Sequence, residues 1–163
     1  TGGAREIVPF ELTWITDTFG FPIETKGFFK RTMDLGVNIE DTYAFIMKFN
    51  QGLGSVNVDV TSRFATRSLI VNFERAQLRW NWEDSVLRVF ECDKNKWTIY
   101  SQHQGKTEPG YNANIFEQMY IDELNAYIKG FEDRKQYPNT LENDLRVLQI
   151  LDDIESCDGG FNR

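Results

Sequence analysis

Between residues 23 and 101 the apolar side chains recur every second position, whereas on either side of that stretch they recur about every fourth. A chain patterned this way can be neither all helix nor all sheet, because side chains alternate across a strand but return every three to four residues along a helix. Val, Thr, Phe, Tyr and Trp dominate the middle stretch, and strands are predicted at residues 23–31, 42–49, 55–61, 68–73, 77–82, 86–92 and 97–101. Tyr43, Phe45, Met47 and Phe49 share one side of the second strand, and Val56, Val58 and Val60 alternate with Asn57, Asp59 and Thr61 in the third. The links Asn50-Gln51-Gly52, Glu83-Asp84-Ser85 and Asp93-Lys94-Asn95-Lys96 are short and carry turn chemistry, which implies antiparallel neighbours.

The flanks read as helices. Val8, Leu12, Ile15 and Phe19 form one stripe that ends at Gly20. Pro9 interrupts it, so either a kink or a helix start near Val8 is expected, with Arg5, Glu6 and Phe10 held at the bend. Beyond the polar loop QHQGKTEPGYNAN, a second helix carries Phe116, Tyr120, Leu124, Tyr127 and Phe131, with Asn114 and Glu117 as a capping box. A third begins near Asn139, presents Leu141, Leu145, Leu148 and Leu151, and stops at Gly159-Gly160. Helix, long meander, then two helices predict an α+β class: a large open, mainly antiparallel sheet with helices packed on one face, in a single domain.

The 163 residues suffice to remove roughly 70% of the unfolded surface from water without staples. A net charge of −7 with no basic cluster argues against nucleic acid as a partner. No run approaches the roughly 18 apolar residues of a membrane span, and the opening residues do not read as the basic-then-apolar pattern of a signal peptide. Cys92 and Cys157 lack metal-ligand spacing and read as reduced thiols, so no metal site is expected and the cytoplasm is the expected compartment. His103 lies in the polar loop with no ligand spacing, and the glycines of NQGLG at 50–54 read as a hairpin turn, not a phosphate loop. Glu40-Asp41, Glu83-Asp84 and Asp152-Asp153 read as a strand start, a turn and an outer helix face. Trp80, Trp82 and Trp97 suggest an aromatic platform for a sugar ring, or equally sheet packing or a subunit contact.

Four stretches in order, GGAREIVPFELTWITDTFG, IEDTYAFIMKFNQGLGSVNVDVTSR, MYIDELNAYIKG and LENDLRVLQILDDIES, resemble the C-terminal domain of the glucose-fructose oxidoreductase / inositol dehydrogenase / MocA family of NAD(P)-dependent sugar and polyol oxidoreductases. The resemblance implies that a Rossmann domain, absent here, precedes this stretch and binds NAD or NADP, so that no cofactor is expected on this piece and no turnover from it alone. It further implies a homodimer through the open sheet face and a sugar-type small-molecule substrate.

The family pattern places GG, an acid, a histidine and an aspartate along the first helix; here the acid falls on Glu6, the histidine on Phe10 and the aspartate on Thr13. Phenylalanine exchanges no proton, so the catalytic set is incomplete: either a lysine of the absent half acts alone, or Glu6 or Glu11 substitutes. Arg5, Glu6, Pro9, Phe10 and Thr13 are the residues the resemblance assigns to the pocket floor, although Arg5 and Glu6 could instead pair with each other or cap the segment. Two other readings stay open: a non-catalytic ligand-binding or dimerisation module, and a carboxylate-dependent hydrolase whose two acids converge in a deep pocket.

Overall fold

The computed structural model describes residues 3–84, 86–101, 117–134 and 137–157. His103, Asn114, Phe116 and the expected stop at Gly159-Gly160 lie outside the described residues. The chain forms two compact units, Thr1–Ser62 with Asn139–Arg163, and Arg63–Pro138.

In the first unit, α1 (Ala4–Phe19) and α3 (Leu141–Cys157) cover one face of an antiparallel sheet ordered β1 (Glu24–Lys30), β2 (Thr42–Phe49), β3 (Gly52–Asp59). The predicted alternation is realised: Thr25, Gly27 and Phe29 of β1, then Tyr43, Phe45 and Met47 of β2, point into the core, with Val58 of β3 beside them. Ala4, Val8, Leu12 and Ile15 close the core from α1; Val147, Ile150, Leu151 and Ile154 close it from α3. The opposite sheet face carries Glu24, Lys26, Lys30 and Lys48 around Phe28 and Ile46, all exposed.

Two helix expectations are corrected here. α1 does not start near Val8; it runs from Ala4 through Pro9 as an interior residue, ending where Gly20 donates its N–H to the Thr16 carbonyl. α3 begins at Leu141, close to the expected Asn139, and is capped by Thr140, whose hydroxyl accepts the Asn143 N–H at 3.2 Å, while the Asn139 amide turns to Asp144. Of the expected leucine stripe only Leu151 is buried, while Leu141, Leu145 and Leu148 are exposed. The helix is apolar on two sides, and the β-branched side carries Val147, Ile150 and Ile154 onto the strands.

Gly27 leaves no room for a side chain between β2 and α3. A Cβ there would lie 2.5 Å from Phe45 Cβ, 2.8 Å from the Ala44 carbonyl oxygen and 3.1 Å from Ile154 Cγ2. Gly27→Ala is therefore expected to destabilise the fold by about 1–3 kcal/mol in denaturant titration. Truncating Ile154 should not rescue it, because the two tightest obstacles belong to β2.

The second unit holds a separate sheet ordered β4 (Ser68–Asn72), β5 (Ala76–Asn81), β6 (Val86–Glu91), β7 (Lys96–Ser101), and α2 (Glu117–Glu132). The α+β class with antiparallel strands is thus realised, with the strands in two sheets of three and four. Its register places Leu69, Trp80, Leu87 and Tyr100 in one cross-sheet row, and Asn72, Gln77, Phe90 and Trp97 in a row on the other face. Trp80 and Trp97 therefore cannot form one platform. No described residue of this unit is fully buried, and Tyr120, Leu124, Tyr127 and Phe131 of α2, expected to pack on a sheet, are exposed. The glycines of residues 50–54 are also placed differently from expectation: Gly52 and Gly54 belong to β3, opposite Phe49 and Met47, leaving Asn50 and Gln51 as the turn.

Candidate functional site

The site is built around the start of α1. Gly3, the residue before the helix, has φ +73°, and a Cβ on it would meet the Glu40 carbonyl oxygen at 2.8 Å and Ile39 Cδ1 at 2.9 Å. Only glycine satisfies both the conformation and the approach. The Ala4 N–H donates to that same Glu40 carbonyl at 3.3 Å, so the segment leading into β2 sets where α1 begins.

That segment is itself fixed by Asp41, which is fully buried. Its carboxylate accepts the Thr32 and Met33 N–H groups at 2.8–2.9 Å and the hydroxyls of Thr32 and Thr42 at 2.8 and 2.9 Å. Burial opposes the charge, but these donors outweigh it and hold the carboxyl down at about 2. The Glu40-Asp41 pair is therefore a structural clasp. Because the folded value lies below the ordinary 3.8, the stability Asp41 supplies is complete above pH 3.8 and is lost as pH falls through about 2. Unfolding free energies measured across that window should decline with acid, and more shallowly in Asp41→Asn.

Along α1, Glu6, Phe10 and Thr13 are spaced four and three apart and are all exposed, opposite the buried Val8, Leu12 and Ile15. Phe10 is 74% exposed. Thr13 donates its hydroxyl hydrogen to the Pro9 carbonyl at 2.8 Å, which leaves the oxygen's lone pairs outward as acceptors. Glu11 is turned away from this face and accepts the Trp14 indole N–H at 2.7 Å. Of the two acids considered as proton donors, Glu6 is the one that shares a face with Phe10 and Thr13.

Arg5 does not pair with Glu6. Its guanidinium grips Glu155 of α3 through Nε at 2.7 Å and Nη2 at 3.2 Å, and the Tyr43 hydroxyl donates to the same Glu155 oxygen at 2.9 Å. The hydrogen bond to Glu155 raises the Arg5 pKa against the opposing effect of burial, and burial, reinforced by Glu155, pushes the Tyr43 phenol up. Glu155 and Tyr43 were not singled out by the sequence: they stand 150 and 112 positions from their partners, and no local pattern joins them.

The chemistry this face offers is a carboxylate able to accept or hold a proton, an aromatic surface for the C–H face of a ring, and a hydroxyl oxygen. Among the described residues no three His, Cys, Asp or Glu side chains gather as a metal site, and no helix is long and apolar enough to cross a membrane. Cys92 and Cys157 are both free and exposed. Among the described residues, the glycine-rich segment at 50–54 belongs to a hairpin and its strand, not to a strand-to-helix turn of the kind that cradles a dinucleotide's phosphates.

No family model matches the chain, and no curated protein matches it. Solved structures do. UDP-N-acetylglucosamine 3-dehydrogenase GnnA from Acidithiobacillus ferrooxidans matches 92% of this chain with 46% of its own, at a TM-score of 0.66 and 11% identity. An oxidoreductase from Sinorhizobium meliloti matches 94% with 49% of its own, at 0.67 and 14%. A protein of Desulfitobacterium hafniense provisionally named as an NADPH-dependent oxidoreductase matches 92% with 43% of its own, at 0.65 and 13%. The chain thus spans about half the length of these oxidoreductases and shares the fold of that half.

Proposed function

We propose that this chain is the substrate-binding and dimerisation domain, the C-terminal half, of an NAD(P)-dependent oxidoreductase of the glucose-fructose oxidoreductase / inositol dehydrogenase / MocA type, acting on a sugar or polyol in the cytoplasm. The observation that carries the reading is the fold likeness itself: more than nine-tenths of the chain matches about half of several oxidoreductases, one of which is a sugar-nucleotide dehydrogenase. The nucleotide site belongs, on this reading, to a Rossmann domain outside this stretch, where a nicotinamide would supply the redox chemistry. This chain's own contribution is shape and proton handling. Glu6, Phe10 and Thr13 face the substrate, with Pro9 at the margin and Arg5 behind the first turn. Glu6 is the group able to exchange a proton with a substrate hydroxyl, which Phe10 in the family's histidine position cannot do.

For the dimer, the Leu69, Trp80, Leu87 and Tyr100 row supplies an apolar, aromatic surface of the kind that buries well against a second copy, whereas the outer face of the first sheet is ringed by charge. Sedimentation equilibrium at micromolar concentration should return a dimer; a monomer would remove that part of the proposal. The activity is tested by screening the intact protein with NAD+ and NADP+ against sugars, inositols and UDP-sugars. Turnover by the intact protein and none by residues 1–163 alone is the expected result, and turnover by this stretch alone would sink it. The exposed Phe10 also favours a second reading, a ligand-binding module without catalysis, which predicts saturable sugar binding with no reduction of either nucleotide.

A further inference from the structure

The first turn of α1 is poorly secured by its own backbone. Pro9 has no N–H, so the Arg5 carbonyl loses one of the hydrogen bonds that would join this turn to the rest of the helix. Gly3 provides no side-chain cap, and the Ala4 to Glu40 and Glu6 to Gly3 backbone bonds at this end are long at 3.3 Å. Beside the burial of Ala4 and Val8 in the core, what holds it is polar and comes from far away in sequence. Glu155 of α3 takes a two-pronged grip from Arg5, and Tyr43, fully buried with its ring stacked on Phe29 at 5.2 Å, donates its hydroxyl to the same carboxylate. The Tyr43 oxygen is thereby a fixed point of the sheet. With side-chain exposures of 34% for Arg5 and 19% for Glu155, the pair is shielded beyond an ordinary surface ion pair, and its paired geometry adds direction as well as strength.

We infer that Glu155 is a positioning residue: by joining Arg5 on α1 to Tyr43 on β2, it fixes the first turn of α1 and so aims Glu6, the next residue along. Arg5 is then the arm of this clamp. The grip itself stands on the contacts described, while its effect on a substrate rests on the oxidoreductase reading.

Amide hydrogen exchange followed by mass spectrometry separates the two. In Glu155→Gln, exchange over residues 3–9 should quicken about tenfold or more, as loss of charge-assisted hydrogen bonds predicts, while β2 keeps its protection. Arg5→Lys keeps the charge without the fork and should fall between wild type and Glu155→Gln. Tyr43→Phe removes a single hydroxyl and should loosen the same segment less, which keeps the test decisive if Glu155→Gln fails to fold. Unchanged exchange over residues 3–9, or equal acceleration in β2, would overturn the clamp. In the intact protein, with UDP-N-acetylglucosamine and NAD+ or NADP+ as probes, Glu155→Gln should lower kcat about tenfold with KM little moved. A wild-type protein inactive on the full sugar panel would defeat the oxidoreductase reading and leave the clamp to be judged by exchange alone.

Discussion

Ile154→Ala should cost about 2–5 kcal/mol, seen as a lower midpoint in urea with an unchanged slope. Ile154 is fully buried and lies over Gly27, where the sheet has no side chain of its own to fill a void. The backbone of β1 is hydrogen-bonded along its length to β2, so it cannot rise into the space, and most of the cavity would remain. The sharper form of the test compares Leu148→Ala on the same helix. Leu148 is 45% exposed, and its loss should stay within about 0.5 kcal/mol. A reversed order would mean that α3 presents its leucines to the sheet after all.

The second large effect concerns Glu6. On the proposed oxidoreductase reading, Glu6→Gln in the intact protein is expected to lower kcat by about 10²- to 10⁴-fold, the range for removal of a positioned proton-transfer group. Phe10 and Thr13 share the face and carry no group that ionises near neutral pH, Glu11 is occupied by the Trp14 indole, and Arg5 by Glu155. Glutamine keeps the size and the hydrogen-bonding reach, so a change in kcat with an intact KM would identify proton exchange, whereas a rise in KM alone would make Glu6 a binding group. Unfolding midpoints should not move, because Glu6 is exposed. Unaltered kinetics would remove Glu6 from the site.

Much of the architecture was legible because its signals are local. Alternation in β2 and the turn residues around it placed that strand at its observed limits, and the other six strands fell within a few residues of theirs. The stop at Gly20 was equally readable, since a single left-handed residue ends a helix wherever it falls. Helix faces were harder. Leucine spacing in α3 pointed to one stripe, yet Val147, Ile150 and Ile154 form another that fits the strands, and periodicity ranks no stripe above its rival. Pro9 reads in sequence as either a kink or a helix start because the cost of an interior proline is visible there, while the partners of the first turn, Glu40 and Glu155, lie dozens of positions away. The same distance explains the site. Glu6, Phe10 and Thr13 could be named as candidates only through the family resemblance of the first helix, and the assignment of Arg5 to a clamp needed the fold.

The first unit is assembled from both ends of the stretch, with residues 63–138 between its two segments. On the ribosome, therefore, β1 to β3 emerge well before α3 and wait with an oily surface bare until the last turn of that helix leaves the exit tunnel. Nascent chains stalled ahead of residue 139 should cling to chaperones, and folding of this unit should be slow for its size, since its closing contacts span nearly the whole sequence.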